Sequence, residues 1–214
     1  MHVPAIGELR ARQTRKWTQF PDDVLPAWIA ESDFSTCPAV LAEIEERVRR
    51  QSLGYTPAHD ELGEALSQFY AARYDFRPDP DYVMAVPDVV RGLLLAVKHF
   101  TRPGSSIVVP VPAYPPFLQI PAAAGRKQVE IACDGAIDLG RVEEAFQAGA
   151  GSMLVCSPYN PLGFTLSREF LTALVDLADR HDARLLVDEI HAPLVLDGSH
   201  VCAAGLQKPR PASA

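Results

Sequence analysis

The chain has 214 residues, of which 48% are hydrophobic, and a formal net charge of −7 at pH 7. This size and apolar fraction fit one large domain, or one and a half, of a globular protein. The negative charge and the lack of a Lys/Arg-rich block argue against a nucleic-acid partner, and no apolar stretch reaches membrane-spanning length.

The amino terminus and the cysteines favour a cytoplasmic location. The first residues lack the basic and apolar segments of a signal peptide. The cysteines, Cys37, Cys133, Cys156 and Cys202, are far apart and form no Cys-x-x-Cys pair. This spacing is typical of reduced thiols that pack in a core, so we expect neither disulfides nor a metal site.

In chain order, the apolar spacing predicts alternating helices and strands. Helices are predicted at residues 38–50, 58–74, 89–100, 114–124, 138–147 and 167–181. Strands are predicted near residues 83–86, 107–109, 128–131, 153–156 and 184–187. This alternation indicates an α/β fold, in which a mostly parallel sheet carries helices on both faces.

The two ends of the chain differ from this pattern and divide it into three parts. Residues 1–37 carry both tryptophans, Trp17 and Trp28, and are predicted to form an irregular arm. Residues 38–201 form the α/β domain. Residues 202–214 have no periodicity and no β-branched residues, so we expect a disordered tail, or an end that is out of frame or introduced by cloning.

Two polar residues follow apolar runs that predict buried strands. Asp188 ends the run Leu185–Val187. Asn160 follows the run Met153–Cys156, in a segment rich in turn residues. In open α/β sheets, ligands bind just beyond the carboxyl ends of the strands. Asp188 alone could cap a loop, and Asn-Pro alone is a common turn signal, but together at this spacing they indicate a binding site.

Two further features are predicted at the same edge of the sheet. Tyr114 follows the strand at 107–109 and can stack on a ligand ring, although packing against loop prolines is an equal alternative. The amides of Val89 and Val90 open a helix and can bind a phosphate group, helped by the helix dipole. A carboxylate repels phosphate, so we expect Asp88 to cap the helix and to point away.

These motifs resemble a known family. Over residues 15–201 the chain is similar to the amino-terminal half of the MalY/PatB-type pyridoxal 5′-phosphate (PLP) enzymes, which are carbon–sulfur β-lyases (cystathionine β-lyase-like) among the class I and II aminotransferases. The matching stretches are Trp28-Ile-Ala-Glu-Ser-Asp-Phe34, Leu53-Gly-Tyr55, Pro110-Val-Pro-Ala-Tyr-Pro-Pro-Phe117, Ser157-Pro-Tyr-Asn-Pro-Leu-Gly163 and Val187-Asp-Glu-Ile-His191. Asp-Glu-Ile-His, in place of the Asp-x-x-Tyr of aspartate aminotransferases, favours the lyase branch.

The resemblance implies a truncated large domain of the fold type I, aspartate aminotransferase-like PLP enzymes. It implies that Tyr114 stacks on PLP and that Asn160 and His191 lie near the phenolic oxygen. It also implies that Asp188 pairs with the pyridinium nitrogen. Tyr55 would reach the cofactor phosphate of the partner subunit, so the resemblance implies a homodimer.

The chain departs from the family at the catalytic amine. The lysine that holds PLP as a Schiff base is expected well beyond Asp188, past the last residue, Ala214. Lys208 comes too early and lies in Lys-Pro-Arg-Pro, and the carboxyl-terminal domain with its carboxylate-binding arginine is absent. Smaller departures are Leu162 and Ser32, where the family usually has threonine and methionine.

By resemblance we expect a PLP-dependent carbon–sulfur β-lyase that converts cystathionine or cysteine to pyruvate, ammonia and a thiol. We expect no turnover by the present chain, because the lysine is missing. The alternatives are a non-catalytic remnant or dimerisation partner, and a PLP-dependent aminotransferase of amino acids. Asp-Glu-Ile-His also matches the box of helicase-type ATPases, but the chain lacks their phosphate loop.

Overall fold

The computed structural model describes residues 2–55 and 61–206, which belong to two compact units, Met1–Ala58 and His59–Ala214. The described part of the first unit contains the helices α1 (Ile6–Ala11), α2 (Arg15–Thr18) and α3 (Pro38–Arg49). The helix predicted at 38–50 is confirmed. The prediction that residues 1–37 are irregular is wrong for α1 and α2.

Asp33 connects the segment before α3 to α2. Its carboxylate accepts hydrogen bonds from Lys16 Nζ at 2.7 Å and from Trp17 Nε1 at 2.8 Å. These hydrogen bonds, with that of Lys16 the larger influence, lower the pKa of Asp33. The ammonium of Lys16 also donates to the carbonyl oxygen of Glu31 at 3.0 Å. The segment before α3 is thus fixed to α2 by polar contacts that an apolar periodicity does not reveal.

The second unit is built around a parallel sheet of four strands in the order β2–β1–β3–β4. The strands are β1 (Ile107–Val111), β2 (Gln128–Ala132), β3 (Ser152–Cys156) and β4 (Arg184–Asp188). Four of the five predicted strands and their parallel pairing are therefore confirmed. β3 is an inner strand, flanked by β1 and β4, and its side chains are buried along its whole length. Burial on both faces of the sheet explains its continuous apolar sequence.

The helices of this unit are α4 (Glu61–Arg73), α5 (Val89–Phe100), α6 (Ile120–Ala123), α7 (Leu139–Gln147) and α8 (Arg168–Arg180). Asp88, Asp138 and Ser167 cap α5, α7 and α8, and accept hydrogen bonds from the amides of Arg91, Gly140 and Phe170. Such caps satisfy amides that lack a partner within the helix and fix where each helix begins.

Within residues 2–55 and 61–206, no helix is both long and apolar enough to cross a membrane.

The predicted strand at 83–86 is wrong. A 3₁₀ turn, Pro80–Tyr82, is followed by residues that pair with no other segment of the described chain. Val83 is half-buried, whereas the side chain of Met84 is 79% exposed. A short apolar run is a weak strand signal, because a strand also needs a neighbour to complete its hydrogen bonds.

The predicted helix at 114–124 is interrupted. A 3₁₀ turn, Pro115–Leu118, comes first, and the short α6 follows it. The reason is proline content: Pro115, Pro116 and Pro121 have no amide hydrogen to donate to a preceding carbonyl.

The predicted disordered tail is wrong in its first residues. Cys202 and Ala203 are buried, and a 3₁₀ turn spans Ala203–Leu206. The amide of Ala203 donates to Glu189 Oε1 at 2.7 Å, which ties this segment to the end of β4. The rest of the predicted tail, residues 207–214, lies outside the described residues.

The burial of β3 leads to a stability prediction. Leu154 is fully buried in the core cluster, whereas Leu196 is exposed. Leu154→Ala removes buried apolar surface and leaves a cavity, so it should lower the free energy of unfolding by about 2–5 kcal/mol. The same change at Leu196 should alter it by less than about 0.5 kcal/mol. Urea unfolding of both variants measures the difference, and equal losses would contradict the described core.

Candidate functional site

Asp188 is the last residue of β4 and lies opposite Cys156, the last residue of β3. The amide of Ser157 donates to the carbonyl oxygen of Asp188 at 3.0 Å, so the two strands leave the sheet side by side. The Asp188 carboxylate is buried, and its Oδ1 accepts a hydrogen bond from the amide of Ile190 at 3.0 Å. The sheet therefore presents a held carboxylate at the carboxyl ends of its strands, where α/β folds bind ligands.

The electrostatic surroundings make Asp188 more basic than an ordinary aspartate. Burial raises its pKa, since a charged carboxylate loses water there, and the neighbouring Glu189 acts in the same direction. The amide of Ile190 and the side chain of His191 partly oppose this effect. A carboxylate that has lost hydration in this way gains strongly from an opposite charge placed beside it.

Asn160 lies in a tight loop that follows β3. Tyr159 holds this loop in place: its amide donates to Phe164, and its carbonyl oxygen accepts from Gly163, each at 2.7 Å. The rings of Tyr159 and Phe164 stack at a centroid distance of 4.8 Å. The Asn160 amide donates to the Cys156 thiol at 3.2 Å. Asn160 is thereby fixed close to the end of β3, one strand away from Asp188.

Tyr159 also connects this loop to the end of β1. Its buried hydroxyl donates to the carbonyl oxygens of Pro110 and Pro112, at 3.1 and 3.0 Å. The segment after Pro112 carries Tyr114, whose side chain is 36% exposed and packs edge-on against Phe117 at 5.7 Å. The ring of Tyr114 is thus anchored by a buried neighbour and remains accessible to a ligand.

A cavity of about 740 Å³ lies beside β4 and contains both Val89, the first residue of α5, and Asp188 in its walls. Asp88 uses its side chain to accept from the amide of Arg91 at 2.7 Å, as a helix cap should. The amides of Val89 and Val90 belong to the first turn of α5, where the helix offers them no acceptor. The structure therefore brings a carboxylate and a helix amino terminus to one cavity.

The other two predicted residues occupy different positions. His191 is half-buried and immediately precedes the 3₁₀ turn Ala192–Leu194, so it follows Asp188 at the same end of β4. Tyr55 belongs to the first unit, and its side chain is fully exposed. Convergence of all the predicted residues on one cleft stays a prediction.

The lysines of the chain are Lys16, Lys98, Lys127 and Lys208. Lys16 is paired with Asp33 in the first unit, and Lys127 directly precedes β2, at the amino end of that strand. Lys98 lies in the last turn of α5, roughly 13 Å along the helix from Val89. Lys208 lies outside the described residues. Within the described part of the second unit, no lysine stands at the carboxyl ends of the strands.

Sequence reasoning missed three residues of this region. Tyr159 lies in the segment Ser157–Gly163, in which Asn160 is the residue that suggests a ligand. No periodicity in the sequence signals the hydrogen bonds of Tyr159 to β1. Glu189 and His200 form a buried pair, with His200 Nε2 and Glu189 Oε2 separated by 3.3 Å. Glu189 directly follows Asp188 and lines the same cavity, but no periodicity in the sequence signals its contacts with Ala203 and His200. Among the described residues, no group of three potential metal ligands occurs.

Comparison with known proteins adds an independent observation. The family model for aminotransferase class I and II matches residues 27–210. The chain is 52% identical over 208 residues to a cystathionine β-lyase of Corynebacterium glutamicum, which covers 97% of this chain and 56% of that protein. It is 32% identical to the cystathionine β-lyase PatB of Bacillus subtilis, over 92% of this chain and 54% of that protein.

Solved structures agree with these relatives. A crystal structure from Corynebacterium diphtheriae, described as a PLP-dependent β-cystathionase, superimposes with a TM-score of 0.94 at 53% identity. The match covers 97% of this chain and 55% of that one. The chain thus spans about half the length of the proteins that it matches.

The bridging role of Tyr159 can be tested by removing its hydroxyl. Tyr159→Phe leaves the ring in place but leaves two carbonyl oxygens without their donor, so the free energy of unfolding should fall by about 1–3 kcal/mol. Tyr82→Phe makes the same change on an exposed side chain and should have almost no effect. Thermal and urea unfolding measure both variants, and an unaffected Tyr159→Phe would refute the bridge.

Proposed function

The chain belongs to the class I and II aminotransferase family, and from that premise we propose that it forms the cofactor-binding part of a PLP-dependent carbon–sulfur β-lyase. The observation that carries the proposal is the buried carboxylate of Asp188 in the wall of a cavity that also contains the start of α5. The proposed substrates are cystathionine and cysteine, and the proposed products are pyruvate, ammonia and a thiol. The 52% identity to a cystathionine β-lyase supports this choice.

The proposed role of Asp188 is to pair with the ring nitrogen of PLP. When bound, PLP supplies an aromatic ring that withdraws electrons from the substrate, and it does so best when its nitrogen is protonated. Asp188 suits this role because its carboxylate is buried, so that a cationic partner offsets the lost hydration, and because the amide of Ile190 holds one carboxylate oxygen in place. A charged hydrogen bond of this kind is about twice as strong as a neutral one.

The first turn of α5 is the proposed phosphate site. The amides of Val89 and Val90 are free of helical acceptors by position, and the helix dipole favours an anion there. The carboxylate of Asp88 is directed to the amide of Arg91, which supports its role as a cap. Phosphate and ring would thus be held from two walls of the cavity.

Three further residues are proposed to complete ring recognition. Tyr114 would stack on the ring face, and the side chains of Asn160 and His191 would approach the phenolic oxygen. Support comes from the hydrogen bonds of Tyr159, which tie the loop of Asn160 to the segment that carries Tyr114. A rigid connection of this kind limits the motion of both groups before a ligand arrives.

The residues described above suit the ring and the phosphate of PLP, but they do not include a lysine to form the Schiff base with its aldehyde. In the described part of the second unit no lysine stands near Asp188, so an active site would need a lysine from elsewhere. An aminotransferase would use the same ring contacts, and product analysis separates it from a lyase.

A homodimer is also proposed, because Tyr55 has a fully exposed phenol that is available to another subunit. In this arrangement its hydroxyl would contact the cofactor phosphate held by the partner subunit. The exposed apolar side chains of α3, namely Val40, Leu41, Ile44 and Val48, are compatible with such burial between subunits.

The role of Asp188 can be separated from stability. Asp188→Asn keeps the side-chain shape but loses the charge, so the affinity for PLP should fall about tenfold or more. Because the pKa of Asp188 is raised in the folded state, the wild type is stabilised at acidic pH, and this stabilisation is lost as pH rises through the folded-state pKa. At pH 7 the free energy of unfolding of Asp188→Asn should therefore be no lower than that of the wild type. At acidic pH the free energy of unfolding of the wild type should rise relative to that of the variant.

Absorbance titration with PLP and urea unfolding at several pH values measure these two properties. Asp197→Asn, on an exposed loop, is the matched control and should bind PLP as the wild type does. Unchanged PLP affinity in Asp188→Asn would refute the assignment of the site.

Turnover by the present chain is predicted to be absent. With PLP and cystathionine, the purified 214-residue polypeptide should release no more pyruvate than free PLP does, because the described part of its second unit places no lysine where it could assist proton removal from the substrate. Pyruvate and ammonia assays measure the rate. Saturable turnover that disappears in Asp188→Ala would show that an amine is present after all.

A further inference from the structure

Glu189, the residue after Asp188, is held by residues from later in the chain. Its side chain is only 11% exposed. Oε1 accepts a hydrogen bond from the amide of Ala203 at 2.7 Å. Oε2 lies 3.3 Å from Nε2 of His200, at ion-pair distance, although not in hydrogen-bond geometry. The Glu189 carboxylate is therefore held at the end of β4 by His200 and Ala203, which come later in the chain.

The surroundings of Glu189 are buried and rich in polar groups. The imidazole of His200 is fully buried and packs edge-on against Tyr74 at a centroid distance of 5.1 Å. Burial, reinforced by the Glu189 carboxylate, raises the pKa of Tyr70 and that of Cys202 to about 12 each. The hydroxyl of Tyr70 and the thiol of Cys202 therefore stay protonated and uncharged at neutral pH, so neither of them adds a charge beside Glu189.

Contacts of both Asp188 and Glu189 restrain the peptide groups between them. Asp188 Oδ1 accepts a hydrogen bond from the amide of Ile190 at 3.0 Å. The side chain of Glu189 is fixed to Ala203 and lies next to His200. Because Glu189 lies between Asp188 and Ile190 in the sequence, fixing its side chain limits rotation of the peptide groups that orient Asp188.

From this geometry we propose that Glu189 is a positioning residue, which with Ala203 and His200 directs the carboxylate of Asp188 toward the ring nitrogen of a bound pyridine cofactor. The proposal rests on the proposed function of Asp188. A hydrophobic contact could join the same segments with less desolvation. A carboxylate with two partners adds direction, which packing alone does not provide.

The first test compares two ligands that differ at one atom, PLP and an analogue with carbon in place of the ring nitrogen. Asp188 distinguishes them only if its carboxylate points at that atom. The wild-type chain should bind PLP about tenfold or more tightly than the analogue. In Glu189→Ala this preference should fall at least threefold, because Asp188 is no longer directed.

Two variants refine the comparison. Glu189→Gln keeps an acceptor for the Ala203 amide and should retain more of the preference than Glu189→Ala. Glu64→Ala removes a carboxylate from the exposed face of α4 and should leave the preference unchanged. A purely structural role would weaken the binding of both ligands equally and leave their ratio intact, and that result would overturn the proposal.

The second test needs no ligand. Hydrogen exchange of the wild type and Glu189→Ala should show faster exchange at Ala203, which loses its acceptor, and also at Ile190, whose acceptor is Asp188. Faster exchange at Ala203 with unchanged protection at Ile190 would contradict the coupling. If the wild type binds PLP and the analogue equally, the proposed function itself fails, and the exchange data alone then decide whether Glu189 restrains Asp188.

Discussion

The parallel pairing of β3 with β4 is the constraint on which the rest of the candidate site depends. It sets Cys156 opposite Asp188, and the bond from Ser157 to Asp188 continues the pairing one residue further. The loops that follow both strands must therefore begin side by side. Tyr159 extends this order to β1 through its hydroxyl. Three strand ends are joined in this way before any ligand is considered, which is the type of rigid support that a binding site requires.

The site combines stable surroundings with a group that is costly to bury. The sheet interior is apolar, and Asp188 introduces a carboxylate at its edge, where loss of water raises the pKa. The neighbouring Glu189 also raises the pKa of Asp188, and the side chain of Glu189 is itself held by Ala203 and lies beside His200. Adjacent carboxylates of this kind are expected where function rather than stability selects the residue.

Much of the fold could be predicted from the sequence because its signals are local. Four strands and the longer helices follow from apolar spacing, and the caps Asp88, Asp138 and Ser167 mark helix starts correctly. Asp188 and Asn160 could be selected because each follows an apolar run. Tyr159, Glu189 and His200 could not be selected, since their contacts join residues far apart in sequence. The apolar spacing after Tyr114 predicts one helix, whereas the prolines there divide it into a 3₁₀ turn and the short α6.

The wrong strand at 83–86 and the cavity beside β4 share one physical cause. Val83, Met84 and Val86 lie in the wall of that cavity, together with Leu185, Leu186 and Val187 of β4. Both segments are apolar enough to be read as buried strands, yet β4 is only half-buried through these residues, whereas β3 is completely buried. Among the described residues, β4 pairs with β3 on one side and borders the cavity on the other. The sequence determines which side chains a strand presents, but the hydrogen bonds of a strand form only where a second backbone lies alongside. Residues 83–86 have the apolar side chains of a strand, but no neighbouring strand of the described chain pairs with them.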